Sequence, residues 1–165
     1  VLYGRECVSE DLLWKNTPDE ERGNFDYLMD VIDWEANTDP EFKQKHFMPP
    51  VTINETDGYV EEWICYKCKT ASAKRLTVKP GKTVVIKDEA AYGMILIEGH
   101  GRMDAWEIET PTLIRYGELT NDEFFVTDAA AKNGVTITNT SATEPIVILK
   151  HFSENPELDR FMCEN

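Results

Sequence analysis

The sequence predicts a mainly β domain, a sandwich or barrel, with an N-terminal helical segment. Three observations carry this expectation. From Val51 onward, short strand-like runs recur at intervals of roughly 8 to 12 residues between turn-forming residues. Before Val51, apolar residues fall instead at spacings of three and four. Hydrophobic residues make up 41% of 165 residues and are spread along the chain, which suits a single buried core. The expected division is a helical leader over 1–50, packing on the barrel, and the barrel itself over 51–165.

Within the leader, Ser9 is an N-cap candidate ahead of the cluster Leu12-Leu13-Trp14, and Thr17-Pro18-Asp19-Glu20 sets cap, proline and acids at a helix start. A helix is expected from Pro18 to about Trp34, with Leu28, Val31 and Ile32, together with Phe25 and Tyr27, giving one face to bury and Gly23 weakening its first turns. A shorter helix follows Asp39-Pro40-Glu41, reaches His46 and is ended by Pro49-Pro50. Its acidic neighbour from Asp19 to Asp33 is a solvated face.

Strands are expected near 51–54, 59–67, 71–79, 82–87, 92–98, 102–108, 111–116, 122–126, 134–139 and 145–151. Asp57-Gly58, Pro80-Gly81, Gly99-His100-Gly101, Gly117, Asn133-Gly134 and the segment before Pro145 separate them. Ala129-Ala130-Ala131 suits one helical turn. Met94 and Leu96 alternate with Ile95 and Ile97, and Ile146 and Ile148 with Val147 and Leu149. One face of such a strand fills the barrel; the other calls for cover by the helices, another domain or a second copy.

Composition removes several function classes. The 17 Lys and Arg stand against 31 Asp and Glu, a formal net charge of −14, which repels a phosphate backbone and argues against nucleic acid. No apolar run approaches the ~18 residues of a membrane span, and Val1-Leu2-Tyr3-Gly4-Arg5 has no secretory-signal pattern. The absence of an initiator methionine leads us to expect a fragment of something longer. Cys7, Cys65, Cys68 and Cys163 are too scattered for a disulfide scaffold, so a cytoplasmic location is expected. Cys65-Tyr66-Lys67-Cys68 is one C-x-x-C knuckle without the two further ligands of a zinc site; its cysteines share one side of a strand or flank a bend.

Gly81, Lys87-Asp88-Glu89 and Ile97-Glu98-Gly99-His100-Gly101 have the frame of a β-barrel metal motif, and Asn139-Thr140-Ser141 has the end of a second. From Thr77 to Leu149 the chain thereby resembles a cupin, in which the first motif carries a His-x-His pair and a glutamate and the second a histidine four positions before an asparagine. The resemblance implies a cupin-like β-barrel, a double-stranded β-helix or jelly roll. ETPTLIRYGELTNDEFFVT and PIVILKHFSENPE further resemble cupin proteins related to type I phosphomannose isomerases (mannose-6-phosphate isomerase-like), which join a metal-bearing cupin to helices and a second cupin lacking metal. About two-thirds of the chain is covered, and it looks like the later portion of that architecture.

The metal ligands are not in place. Lys87, Glu89, Tyr92 and Val135 stand near the ligand positions; a lysine and a valine do not replace imidazoles. His46, His100 and His151 have no sequence reason to converge, although His151 at a strand end can face the barrel mouth. No metal and no cofactor are therefore expected. Lys87, Glu89, Tyr92, Glu123 and His151 are the candidate ligand-binding residues of the barrel mouth, among which Glu89, Lys87 and His151 are candidates for catalysis, with a plain ion pair as the alternative for Lys87 and Glu89. Aldose-ketose isomerisation needs a base, for which Glu89 or Glu123 serves, and an electrophile, for which Lys87 or His151 serves. Arg75, Arg102 and Arg115 suit either a phosphate or an exposed strand face.

Three functions follow from these readings. One is the non-metal cupin portion of a sugar or sugar-phosphate isomerase-like protein, binding a small carbohydrate-type ligand or serving packing, with a second cupin domain or homodimer partner. Another is a non-catalytic oligomerisation or ligand-binding module. The third is a stand-alone, metal-independent sugar isomerase.

Overall fold

A computed structural model describes residues 9–111 and 119–153. The chain forms two compact units, Val1–Phe47 and Met48–Asn165. Among the described residues the first holds four short helices, α1 (Glu10–Leu13), α2 (Phe25–Asp30), α3 (Trp34–Thr38) and α4 (Phe42–His46), with a 3-10 turn at Asp19–Glu21. The single helix expected over 18–34 is thus broken. Gly23 adopts φ +86, a left-handed conformation that no helix interior accommodates. Asn24 then caps α2 by accepting from Tyr27 N–H, and Asp33 caps α3 by accepting from Ala36 N–H, so two local side-chain caps compete with one continuous helix. Trp14 packs edge-on against Phe25 with ring centroids 5.2 Å apart.

Among the described residues the second unit carries ten strands: β1 (Val51–Glu55), β2 (Tyr59–Cys65), β3 (Ser72–Val78), β4 (Thr83–Ile86), β5 (Tyr92–Glu98), β6 (His100–Met103), β7 (Trp106–Glu109), β8 (Glu123–Val126), β9 (Val135–Asn139) and β10 (Ile146–Phe152). A helical turn, α5 (Asp128–Asn133), precedes β9. Two antiparallel sheets result, ordered β1-β2-β3-β10-β5-β8 and β4-β9-β6-β7. The pairing is nested: β6 pairs β7, β5 pairs β8, β4 pairs β9 and β3 pairs β10. One long hairpin wound over itself gives that pattern, and the winding is the jelly roll; the β1-β2 hairpin extends one edge.

The strand expected over 102–108 is two strands, with a reversal at Asp104, whose φ is +49. Gly99, expected in a tight hairpin turn with His100 and Gly101, instead passes the chain from the first sheet to the second: His100 already belongs to β6. The strand expected over 111–116, with Gly117 and Arg115, lies outside the described residues except for Pro111.

Inward-facing residues alternate with outward-facing ones. Leu76, Val78, Ile146 and Ile148 are wholly enclosed, with Met94, Leu96, Ile108 and Ile137 beside them. Asn139 is also enclosed. Its Nδ2 donates to Val78 O at 3.1 Å and Glu144 O at 2.8 Å, and its Oδ1 accepts from Ser141 N at 2.9 Å, so it clamps the turn before β10. On the other parity, Ile95, Ile97 and Phe125 are exposed.

Gly101 is where strand approach leaves no room for a side chain. A Cβ there would stand 2.2 Å from Thr138 O and 2.8 Å from Ile146 Cδ1, whereas at Gly93 nothing lies within 4 Å. Gly101→Ala is expected to cost about 1–3 kcal/mol in denaturant unfolding, and Gly93→Ala to be neutral or stabilising by up to about 1 kcal/mol.

Candidate functional site

The polar centre of the jelly roll is built from residues on four segments. Lys74 on β3 and Lys150 on β10 are cross-strand partners, on the same inward parity as Leu76, Ile146 and Ile148. Like charges directly opposite one another are destabilising, so the pair needs counter-charges. Asp88 supplies one between them: its Oδ1 accepts from Lys74 Nζ at 2.8 Å and its Oδ2 from Lys150 Nζ at 2.7 Å. Glu61 of β2 supplies the second, accepting from Lys150 Nζ and standing 4.0 Å from Lys74 Nζ. The side chains of Lys150, Asp88 and Glu61 are at most 4% exposed, and that of Lys74 is 13% exposed.

Aromatic rings enclose this quartet. Lys74 Nζ lies 4.8 Å from the Trp63 ring centroid and 5.3 Å from that of Phe152, and Lys150 Nζ lies 5.4 Å from that of Tyr92. The negative ring faces add to the stabilisation of the ammonium groups. Burial, followed by the charges of Asp88 and Glu61, pushes the Tyr92 phenol well above its usual range. Trp63 is 1% exposed, and its Nε1–H has no hydrogen-bond partner among the described residues.

Local structure sets each position. Ile86 ends β4, and the inward parity of Val84 and Ile86 continues to Asp88. The Asp88 N–H donates to Ala131 O of α5 at 3.1 Å. Thr127 caps α5 by accepting from Ala130 N–H, which fixes the helical turn that holds Asp88.

The predicted site residues separate. Lys87 and Glu89, expected toward the barrel mouth, are exposed, and Asp88 between them points inward. A one-residue slip in parity exchanges the two faces, so the motif frame read without the register does not show that Asp88 is the member facing inward. Tyr92 is inside, beside the quartet. Glu123 and His151 are also exposed; they come together on the outer face, where they line a shallow depression with Gly93, Ile95, Thr120 and Phe125. Of the other candidates, Arg75 makes an ion pair with Glu62 at 2.7 Å and Arg102 one with Glu107 at 3.3 Å, while Arg115 lies outside the described residues. Glu61, Lys74 and Lys150 escaped the sequence reading, and Asp88 entered it only as a member of the motif frame, not as a site candidate. Their signal was a charged residue on the apolar parity of a strand, as in Ile146, Ile148, Lys150.

The donor set does not fit the metal centre that the resemblance implies. Val135 is buried opposite Ile86, His46 stacks on Phe42 in α4, and His100 and His151 are exposed. Among the described residues no three His, Cys, Asp or Glu gather closely enough to hold an ion. Both interior carboxylates are committed to ammonium groups. Nor, among the described residues, is any helix long and apolar enough to cross a membrane.

No protein-family model matches the sequence, and no curated protein matches it. Among solved structures it is similar to an RmlC-like cupin protein from Ralstonia eutropha JMP134 (10% identity, TM-score 0.44), spanning 64% of this chain and 63% of that one. It is also similar to an RmlC-like cupin from Shewanella frigidimarina NCIMB 400 (15% identity, TM-score 0.43; 68% and 93% of the two chains). A cupin 2 domain-containing protein from Halorhodospira halophila is a third (17% identity, TM-score 0.42; 70% and 90%).

Removing one member of the quartet leaves a buried charge unmatched. Asp88→Ala and Lys150→Met are each expected to cost about 3–5 kcal/mol in urea unfolding, while Lys87→Ala and Glu89→Ala stay within about 0.5 kcal/mol. Tyr92 keeps its proton in the folded state after an unfolded phenol, with its pKa of about 10, has lost it. Stability therefore falls as pH rises above about 10, and Tyr92→Phe is expected to make that decline shallower in pH-dependent unfolding.

Proposed function

We propose that this chain is a cupin-type jelly-roll domain whose interior is a closed ion quartet rather than a metal centre. In this reading it serves as the non-metal portion of a sugar or sugar-phosphate isomerase-like protein, contributing packing while the chemistry resides elsewhere. The observation that carries this reading is the mutual satisfaction of Lys74, Lys150, Asp88 and Glu61. A carboxylate engaged by an ammonium at 2.7–2.8 Å is a poor metal ligand and a poor general base, because either task requires breaking that pair. Exposed Ile95, Ile97 and Phe125 on the outer face support packing against a second cupin domain or another copy of the chain.

A second reading, binding of a small carbohydrate-type ligand, is favoured by the buried Trp63 Nε1–H, which has no acceptor among the described residues. A buried donor without an acceptor costs about 1–3 kcal/mol, which a ligand hydroxyl would recover.

Protein purified with zinc and manganese in the medium is expected to retain neither ion stoichiometrically, and to leave mannose and mannose 6-phosphate unchanged. Stoichiometric metal that Asp88→Asn or Glu61→Gln releases would overturn the first reading. Titrating either sugar into nitrogen-15-labelled protein tests the second: it requires the Trp63 indole resonance, assigned with Trp63→Phe, to move, and a stationary signal at saturating sugar removes it.

A further inference from the structure

The motif that the barrel interior leaves unused is Cys65-Tyr66-Lys67-Cys68. Cys65 ends β2, and Cys68 lies in the loop before Ser72 opens β3. Both thiols are free and partly exposed. Each is held by the same short loop: Cys65 Sγ donates to Ala71 O at 3.8 Å, and Cys68 Sγ lies 3.5 Å from Thr70 Oγ1. The two cysteines are not equivalent. Hydrogen bonds from the Thr70 side chain and from the backbone at Thr70 and Ala71 hold the Cys68 thiol below its usual range, whereas burial, with the neighbouring Cys68, raises that of Cys65.

The charge of the loop suits an anionic reagent. The chain carries −14 overall, yet the loop from Tyr66 to Ala71 has Lys67 and Lys69 on either side of Cys68 and no acid. Ammonium groups on the loop attract an anionic reagent.

We propose that Cys65 and Cys68 form a thiol–disulfide exchange site for a low-molecular-weight anionic disulfide such as glutathione disulfide, with Cys68 attacking and Cys65 resolving. The Cys68 thiolate attacks one sulfur of the reagent; its S–S bond breaks, a mixed disulfide forms at Cys68 and one thiolate leaves. Cys65 then gives its proton to solvent and attacks the Cys68 sulfur, expelling the second thiolate. The two leaving thiolates take up protons. Two protein thiols are oxidised to one disulfide while the reagent is reduced to two thiols. The disulfide would close a small loop that starts at Cys65, the partner of Ala73 across β2 and β3, two residues after Trp63, the partner of Lys74.

The test uses the full chain carrying Cys7→Ser and Cys163→Ser, incubated with glutathione disulfide, quenched in acid and read by intact mass and peptide mapping. This parent should close a Cys65–Cys68 disulfide without accumulating an adduct. Adding Cys65→Ser should trap a glutathionyl group on Cys68, while adding Cys68→Ser should leave Cys65 reacting about tenfold slower or less. Circular dichroism establishes that each variant is folded, and the urea-unfolded variants, in which the two thiols should react at similar rates, show that any difference belongs to the native loop. Equal native rates at the two cysteines, a parent that stops at the mixed disulfide, or folded protein inert to the reagent would each overturn the proposal.

Discussion

Lys74 and Lys150 face each other across β3 and β10 on the inside of the jelly roll, and the arrangement around them follows from neutralising that encounter. Two ammonium groups in register inside a barrel are tolerable only with two carboxylates between them. Asp88 and Glu61 come from different segments, so charge balance ties β2, β3, β10 and the connection after β4 into one unit. Apolar side chains of similar volume would serve compactness as well or better. The quartet's value lies in register: a one-residue slip of β10 would replace Lys150 by His151 or Leu149 on the inner face and leave Lys74 as the single ammonium facing both Asp88 and Glu61.

The same constraint bears on chemistry. A jelly roll offers a site inside its mouth, but here the groups able to move protons or hold cations are occupied with one another, and the aromatic rings of Trp63, Phe152 and Tyr92 close around them. The residues expected to converge at the mouth lie on other faces, apart from Tyr92. Outside that interior, the partly exposed Cys65 and Cys68 lie in a loop where a locally basic segment interrupts an acidic chain.

Much of the architecture was legible from local pattern. The change from helical spacing to strand rhythm near Val51, the turn chemistry at Gly81 and Gly134, and the one-turn helix at Ala129-Ala130-Ala131 all have causes within a few residues. Where a local competitor existed the reading failed: Gly23 with the caps Asn24 and Asp33 broke the helix expected over 18–34, and Asp104 divided one expected strand. The candidate site was far less legible. Lys87-Asp88-Glu89 was singled out, but which of the three faces inward depends on how β4 pairs with β9, and no residue within the motif reports that register.

By itself the sequence determined the class of the domain, the order of most strands, the acidic surface and the absence of imidazoles from the metal-motif positions, because composition, period and turn residues act over short stretches of chain. Tertiary structure alone decided that Glu61 meets Lys150 across 89 residues and that Asp88 meets it across 62. Those contacts form when the wound hairpin brings its outer strands, β3 and β10, side by side. A charged residue on a strand carries no mark of its partner; the partner is assigned by register and burial, which exist only once both sheets have closed.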